Sequence, residues 1–222
     1  MTSLKKMIAI NVSTIVVLGG IGVGGYQFIH NQNSYLKTEN AKIDGQQIVI
    51  TSPAAGKLTD WNGTNGSEFN KDGKVGTVTV SAPTAEKPNA TKEVAIKTPT
   101  DLTIVSDNAV ENGAVAQGTA LAYAYDFDKL WVTANIKETE LDDVKVGQEV
   151  DVYVDAFDGV TLEGEVQEVG QATASEFSLL PSSNSDANYT KVTQAVPVKI
   201  KLTDTKGKDI LPGMNVTVRI HK

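Results

Sequence analysis

Hydrophobic and polar positions divide this chain into one unbroken apolar run and a long succession of short alternations. Ile8 to Ile29 holds no charged residue and is rich in Ile, Val, Leu and Gly over 22 residues, enough for a helix to cross a hydrocarbon core. The run predicts a transmembrane helix over 8–29 behind a tail of residues 1–7. Asn31 to Glu39 is polar without an apolar period, and residues 30–45 read as a juxtamembrane linker. From Ala41 the texture changes to short β-type runs punctuated by Gly, Asn, Asp and Pro. Val150, Val152 and Val154 alternate with Asp151, Tyr153 and Asp155, as in a half-buried strand. The alternation recurs at Val196, Val198, Ile200 and Leu202, and at Val216, Val218 and Ile220. Several such strands in so short a stretch predict a small barrel or sandwich over 126–222. Ile136 to Val144 predicts a helical turn or two, with Gly147 as its stop.

The region between linker and barrel repeats itself. Ile50-Thr51-Ser52-Pro53, Gly56-Lys57-Leu58, Gly66-Ser67-Glu68-Phe69 and Gly73-Lys74-Val75 are echoed by Ile96-Lys97-Thr98-Pro99, Leu102-Thr103-Ile104, Gly113-Ala114-Val115 and Gly118-Thr119-Ala120-Leu121. Matching positions lie about 45 to 47 residues apart, and both copies read strand, turn, strand, Gly-turn, strand. The glycines fall where a hairpin needs positive φ, and the apolar positions between them face a shared interior that neither copy can bury alone. The expected domain covers 46–125, in halves 46–80 and 94–125. Between them Ser81 to Glu93 is rich in Ala, Pro, Thr, Lys and Asn and reads as a short exposed loop, 81–93.

Composition narrows the function classes. The chain has no cysteine, which excludes disulfides, thiolate metal sites and a cysteine nucleophile. Twenty-seven acidic against 20 basic residues give a net charge of −7 with no Lys/Arg-rich run, the opposite of what phosphate backbones attract, so nucleic acid is not an expected partner. The histidines are His30, at the membrane boundary, and His221, beside the C-terminus, which leaves no Ser/His/Asp constellation. No enzyme and no cofactor is expected. Asp126-Phe127-Asp128 and Asp142-Asp143 lack calcium-loop spacing and read as solvated turns. The sequences around Lys87 and Lys92 lack the Asp-Lys-Ala or Met-Lys-Met setting of a cofactor-bearing lysine.

Lys5 and Lys6 precede the apolar run, whereas its far flank offers only His30 and then Lys37. That asymmetry sets the N-terminus in the cytoplasm and the bulk of the chain outside it. A cleaved signal peptide is the rival reading, but the run exceeds 7 to 15 residues and Gly24-Gly25-Tyr26-Gln27-Phe28 lacks a small-x-small site. Gly19-Gly20-Ile21-Gly22-Val23-Gly24 either packs against a neighbouring helix or reflects the general frequency of glycine in membrane spans. Trp131 reads as core at a domain entry, and Trp61, amid Asn62-Gly63-Thr64-Asn65-Gly66, as a buried hairpin anchor rather than an exposed ring.

Several segments, taken in order, resemble the HlyD-type membrane fusion proteins, adaptor subunits of secretion and multidrug efflux systems, and within them the EmrA-like branch. They are Asn40-Ala41-Lys42-Ile43-Asp44-Gly45, Ser52-Pro53-Ala54-Ala55-Gly56-Lys57, Leu130-Trp131-Val132-Thr133-Ala134-Asn135-Ile136-Lys137-Glu138-Thr139-Glu140-Leu141 with Val146-Gly147-Gln148, and Phe177-Ser178-Leu179-Leu180-Pro181. Asn188-Tyr189-Thr190-Lys191-Val192-Thr193-Gln194, Pro197-Val198-Lys199-Ile200 and Leu211-Pro212-Gly213-Met214 complete the series. The resemblance implies a mainly β protein: an N-terminal transmembrane helix, a split lipoyl-like (barrel-sandwich) domain formed by the repeats, and a small β-barrel from about Asp126. It also implies an efflux adaptor in the cell membrane, self-assembled beside a multi-span transporter of the proton-driven multidrug type rather than an ATP-driven one. Family members that reach an outer-membrane channel carry a long helical hairpin where this chain has only 81–93, so such a channel is not expected and a single-membrane bacterium is.

Phe177, Ser178, Leu179, Leu180 and Pro181, with Tyr189, are the candidate contacts to transporter or substrate path. Phe177 and Leu180 alternatively plug the barrel end. A membrane-anchored module that binds a cell-wall or protein ligand, without transport, is the other reading of the chain as a whole.

Overall fold

The computed structural model describes residues 18–22, 34–83, 90–176, 193–205, 207 and 209–222. The chain after the linker opens with β1 (Tyr35–Asp44). The first repeat copy supplies β2 (Gln47–Thr51), β3 (Gly56–Trp61), β4 (Glu68–Phe69) and β5 (Lys74–Ser81), and the second β6 (Thr91–Lys97), β7 (Leu102–Asp107), β8 (Ala114–Val115) and β9 (Ala120–Tyr125). A short 3-10 turn at Phe127–Lys129 leads to β10 (Trp131–Lys137), and a 3-10 helix at Glu138–Asp143 leads to β11 (Glu149–Val154). β12 (Thr161–Val169), β13 (Ala195–Asp204) and β14 (Asn215–His221) follow. The protein is mainly β, as its sequence texture predicts.

The two copies exchange strands. One four-stranded sheet runs β2-β9-β7-β4 and the other β6-β5-β3-β8, so each takes two strands from each copy. Both sheets feed one core, which holds Ile50, Ala124 and Ile104 from the first and Ile96, Val78 and Leu58 from the second. The halves are related by a pseudo-twofold axis, visible in hydrogen bonds that recur 46 residues on. Asn62 N donates to Val75 O and Asn108 N to Leu121 O, while Asp72 N donates to Thr98 O and Gly118 N to Ser52 O. Positive φ recurs at the same interval: Gly66 (85°) with Asn112 (65°), and Asp72 (62°) with Gly118 (82°). The sequence pairing of Gly66 with Gly113 and of Gly73 with Gly118 is therefore one residue out, because the backbone conformation, not the glycine, is what repeats.

β1, β10, β13, β12, β11 and β14 form a closed barrel in that order. Its interior is largely the alternation read from sequence: Val150, Val152, Val198, Ile200, Val216, Val218 and Ile220 are all 2% exposed or less, joined by Leu162 from outside that reading, whereas Leu202 is half-buried. Closure leaves no unpaired sheet edge, which a lone antiparallel sheet would expose. The described residues fall into two compact units, one of residues up to 41 with 134–204 and 216–222, the other of 42–133 and 205–215.

Expectations for the linker, the loop and both tryptophans are corrected. Residues 35–44, read as linker, are barrel strand β1; the run Lys37-Thr38-Glu39-Asn40 hides the alternation, and the buried Leu36 and Ala41 lie on opposite parities. The segment read as loop 81–93 is shorter, since β5 and β6 pair out to Ser81 and Thr91 and Ala82 N donates to Ala90 O. The helical turn expected within Ile136 to Val144 is present, as the 3-10 helix Glu138–Asp143. Trp131 is half-buried rather than core: it alternates with Val132, so it shares the outer side with Thr133, whose Oγ1 accepts its indole N–H at 3.1 Å. Trp61 is likewise half-buried rather than fully buried: it packs against the sandwich core, and its Nε1 donates to Asp107 Oδ1 at 3.0 Å, joining pseudo-equivalent positions of the two copies.

Among the described residues no helix is long and apolar enough to cross a membrane. Most of 8–29 lies outside them; residues 18–22 are α-helical, with Leu18 and Ile21 exposed.

Candidate functional site

Phe177, Ser178, Leu179, Leu180, Pro181 and Tyr189, and the orienting Lys5 and Lys6, lie outside the described residues. The chain on either side of 177–192 is tied together: Ala174 N donates to Ala195 O at 2.8 Å and Ser175 Oγ to Gln194 Oε1 at 2.6 Å. Gln194 O in turn accepts Glu138 N at the start of the 3-10 helix. The candidate segment therefore leaves and re-enters the barrel at one place, between the end of β12 and the start of β13.

A surface that sequence reading missed lies on the outer side of the β2-β9-β7-β4 sheet. The strand period sends Ile48, Ile50, Ala122 and Ala124 toward the core and Gln47, Val49, Tyr123 and Tyr125 away from it. Register sets Val49 opposite Tyr123 and Gln47 opposite Tyr125, with Thr103 opposite Tyr125 on the other flank. Val105 sits at a bulge in β7 and is 37% exposed, and Val49 is 43% exposed. The result is an apolar, aromatic strip on a solvent-facing sheet. The signal was present in the alternation Leu121-Ala122-Tyr123-Ala124-Tyr125, but the small alanines concealed which parity is the core.

The strip forms one wall of an open cleft of about 630 Å³ within the unit of residues 42–133 and 205–215. Phe127 and the Leu211-Pro212-Gly213 turn add further apolar surface. That turn is built locally: Met214 N donates to Leu211 O, Pro212 takes the second position and Gly213 the third at φ 90°. It is pinned to the end of β1 by Gly213 N to Ile43 O and Ile43 N to Met214 O, both 2.8 Å. Gly45 is required here for close approach, since a Cβ would lie 2.6 Å from Leu130 Cδ2 and 3.1 Å from the Tyr125 ring. Polar groups are few. Lys42 Nζ is 3.6 Å from Asp44 Oδ2, which also accepts Thr133 Oγ1 at 3.2 Å. Neither tyrosine hydroxyl has a hydrogen-bond partner among the described residues.

A second cleft shares Thr103 and Phe127 with the first and is lined by Glu68, Asp101, Asp126 and Asp128. Asp126 is committed to structure: it caps the 3-10 turn through Asp128 N at 3.1 Å and forms an ion pair with Lys129, whose ammonium it holds above the usual lysine range. On the barrel, His221 Nε2 lies 3.2 Å from Asp151 Oδ2, and the imidazole meets Tyr35 edge-on with centroids 4.8 Å apart. Among the described residues no cluster of His, Asp and Glu has the geometry to hold a metal ion. What the first cleft offers chemically is aromatic stacking, apolar burial and a few hydrogen-bonding groups, which suits recognition.

The fold and sequence have clear relatives. A family model, the YknX-like beta-barrel domain, matches residues 130–220. The chain is 42% identical to the putative efflux system component YhbJ of Bacillus subtilis, over 98% of this chain and 93% of that one. It is 39% identical to the multidrug export protein EmrA of Escherichia coli, over 53% of this chain but only 31% of that longer protein. Among solved structures, the membrane fusion protein Spr0693 of Streptococcus pneumoniae superposes with a TM-score of 0.59 at 11% identity, over 85% of this chain and 98% of that one. Similarity of sequence over nearly the whole length, and of fold with a membrane fusion protein, lead to one conclusion: the chain belongs to the HlyD-type membrane fusion proteins, in their EmrA-like branch.

Proposed function

We propose that this protein is a membrane-anchored, extracytoplasmic adaptor subunit of a multidrug or small-molecule efflux system. The observation that carries the reading is the match over 98% of the chain to a protein described as a putative efflux system component. It is supported by the strand-exchanged sandwich and closed barrel, which we read as the lipoyl-like and barrel domains of an adaptor. The apolar run 8–29 anchors the chain by one helix in the cell membrane, with Lys5 and Lys6 on the cytoplasmic side. Energy coupling belongs to a multi-span transporter alongside it, of the proton-driven multidrug type by family analogy, and copies of the chain assemble around the exit path. β5 and β6 are joined by a short hairpin where bridging adaptors carry long helices, so the assembly ends at the surface of a single-membrane cell.

Crosslinking in living cells, detergent extraction and mass spectrometry of what co-purifies with the tagged chain test the reading. A multi-span transporter in stoichiometric yield is the expected result. Recovery of wall or surface proteins alone, with drug accumulation unchanged on deletion, overturns it in favour of a surface-binding module. Phe177→Ser with Leu180→Ser is expected to impair efflux while membrane association persists; a fall in the thermal midpoint of the full chain would show instead that these side chains plug the barrel.

A further inference from the structure

The pseudo-twofold axis of the sandwich provides an internal control, because every position on one outer face has a counterpart 46 residues away on the other. Opposite Val49, Val105, Tyr123 and Tyr125 stand Ala95, Thr59, Thr77 and Thr79, in matching register. Small and mostly polar side chains thus satisfy the fold at these places. The valines and tyrosines of the β2-β9-β7-β4 face exceed what folding requires, and Val105 and both tyrosines line the cleft of about 630 Å³. That volume falls within the roughly 300–1,000 Å³ of small-molecule pockets.

Charge narrows the ligand. Lys42 is paired with Asp44, and Lys129 with Asp126. Beyond Phe127 the adjoining cleft adds Glu68, Asp101 and Asp128, and among the described residues no lysine or arginine lines it. The cleft therefore lies in a negative field, and the faces of its aromatic rings attract cations.

We propose that this cleft binds one flat aromatic cation, stacked among Tyr123, Tyr125 and Phe127 with its charge toward the carboxylates of the adjoining cleft. The inference rests on the adaptor reading for its role, which is to hold molecules of the class the system exports. The free tyrosine hydroxyls supply hydrogen bonds to amino substituents on such a ligand.

The test uses the full chain in phosphatidylcholine nanodiscs, with ethidium as the probe, equilibrium dialysis as the readout and empty nanodiscs as baseline. Saturable binding of one ethidium per chain is expected. Tyr123→Thr with Tyr125→Thr, the residues already present at the counterpart positions, is expected to weaken it at least tenfold while the thermal midpoint holds. Val105→Thr, should the double variant unfold, is expected to weaken it several-fold. The anionic dye 8-anilinonaphthalene-1-sulfonate is expected to bind more weakly than ethidium. Absence of saturable binding, undiminished binding in the folded variants, or preference for the anionic dye overturns the proposal. So does conversion of an assembly to monomers by the tyrosine variants without ethidium binding in the wild type, which would make this face a contact between copies. Absent binding together with drug sensitivity on deletion would remove this inference and leave the adaptor reading intact; ethidium binding with no effect of deletion on drug accumulation would do the reverse.

Discussion

Gly66 and Asn112 do the same work in the two copies, turning the chain at positive φ in the tetrads Thr64-Asn65-Gly66-Ser67 and Val110-Glu111-Asn112-Gly113. A Cβ on Gly66 would meet nothing within 4 Å, so substitution there has a conformational cost alone. Gly66→Ala is expected to destabilise by about 1–2 kcal/mol, and Gly66→Asn by much less, because asparagine already serves at the counterpart; equal losses in denaturant melts would refute that account. Asp60 reports a local electrostatic effect. Lys74 donates to its carboxylate at 2.8 Å and holds it below the usual aspartate range, with smaller help from Thr77 and Asn62. Since the folded value is depressed, the contribution is present above the unfolded value and lost as pH falls through the folded one. NMR titration is expected to show Asp60 protonating at lower pH than a model aspartate and Lys74→Ala to raise that midpoint; an unmoved midpoint would exclude the pair as the cause. The side chains are 51% (Lys74) and 45% (Asp60) exposed, so the pair adds little stability.

Strand exchange is the governing fact among the elements. Because β2 pairs with β9 and β6 with β5, neither copy retains a complete sheet when separated from the other. Fragments 34–83 and 90–222 are therefore expected to differ in behaviour, the first unstructured alone and regaining β-type circular dichroism only when mixed with the second. A stably folded 34–83 fragment would contradict the exchanged topology. The repeat itself was legible because Ile50, Leu58 and Val75 recur as Ile96, Ile104 and Leu121, all buried. The exchange was not, since the same apolar positions would serve two copies folded side by side. β1 was missed for a related reason: only Leu36, Ala41 and Ile43 are buried in it, and its barrel partners lie far along the chain.

For the molecule as a whole, on the proposed anchoring, membrane attachment depends on residues 8–29 and its direction on the flanking lysines. Carbonate-washed membranes are expected to retain the full chain, and surface protease to digest the ectodomain of intact protoplasts. Lys5→Glu with Lys6→Glu is expected to reduce the protease-accessible fraction; an unchanged fraction would show that orientation is set elsewhere. The acidic balance of the chain, −7 overall, also bears on the cleft, because a negative field raises the local concentration of cations and is weakened by salt.

The amino-acid sequence by itself determined the β class, the duplicated segment, the barrel alternation, the uncharged apolar run of residues 8–29 and the family resemblance. Each rests on short-range periodicity or on an ordered series of motifs, which a linear reading captures. Only the tertiary structure decided that the copies trade strands, that residues 35–44 close a barrel whose other strands begin at Trp131, and that two chemically different faces cover the symmetric sandwich. Those features depend on pairing between residues 40 to 90 and more positions apart, as between Gln47 and Tyr125 or Thr133 and Asp44. Hydrophobic patterning specifies which side of a strand is buried, but not which distant strand lies beside it. Tyr123 and Tyr125 could be recognised as surplus to the fold only once their counterparts, Thr77 and Thr79, were set against them by the pseudo-twofold axis.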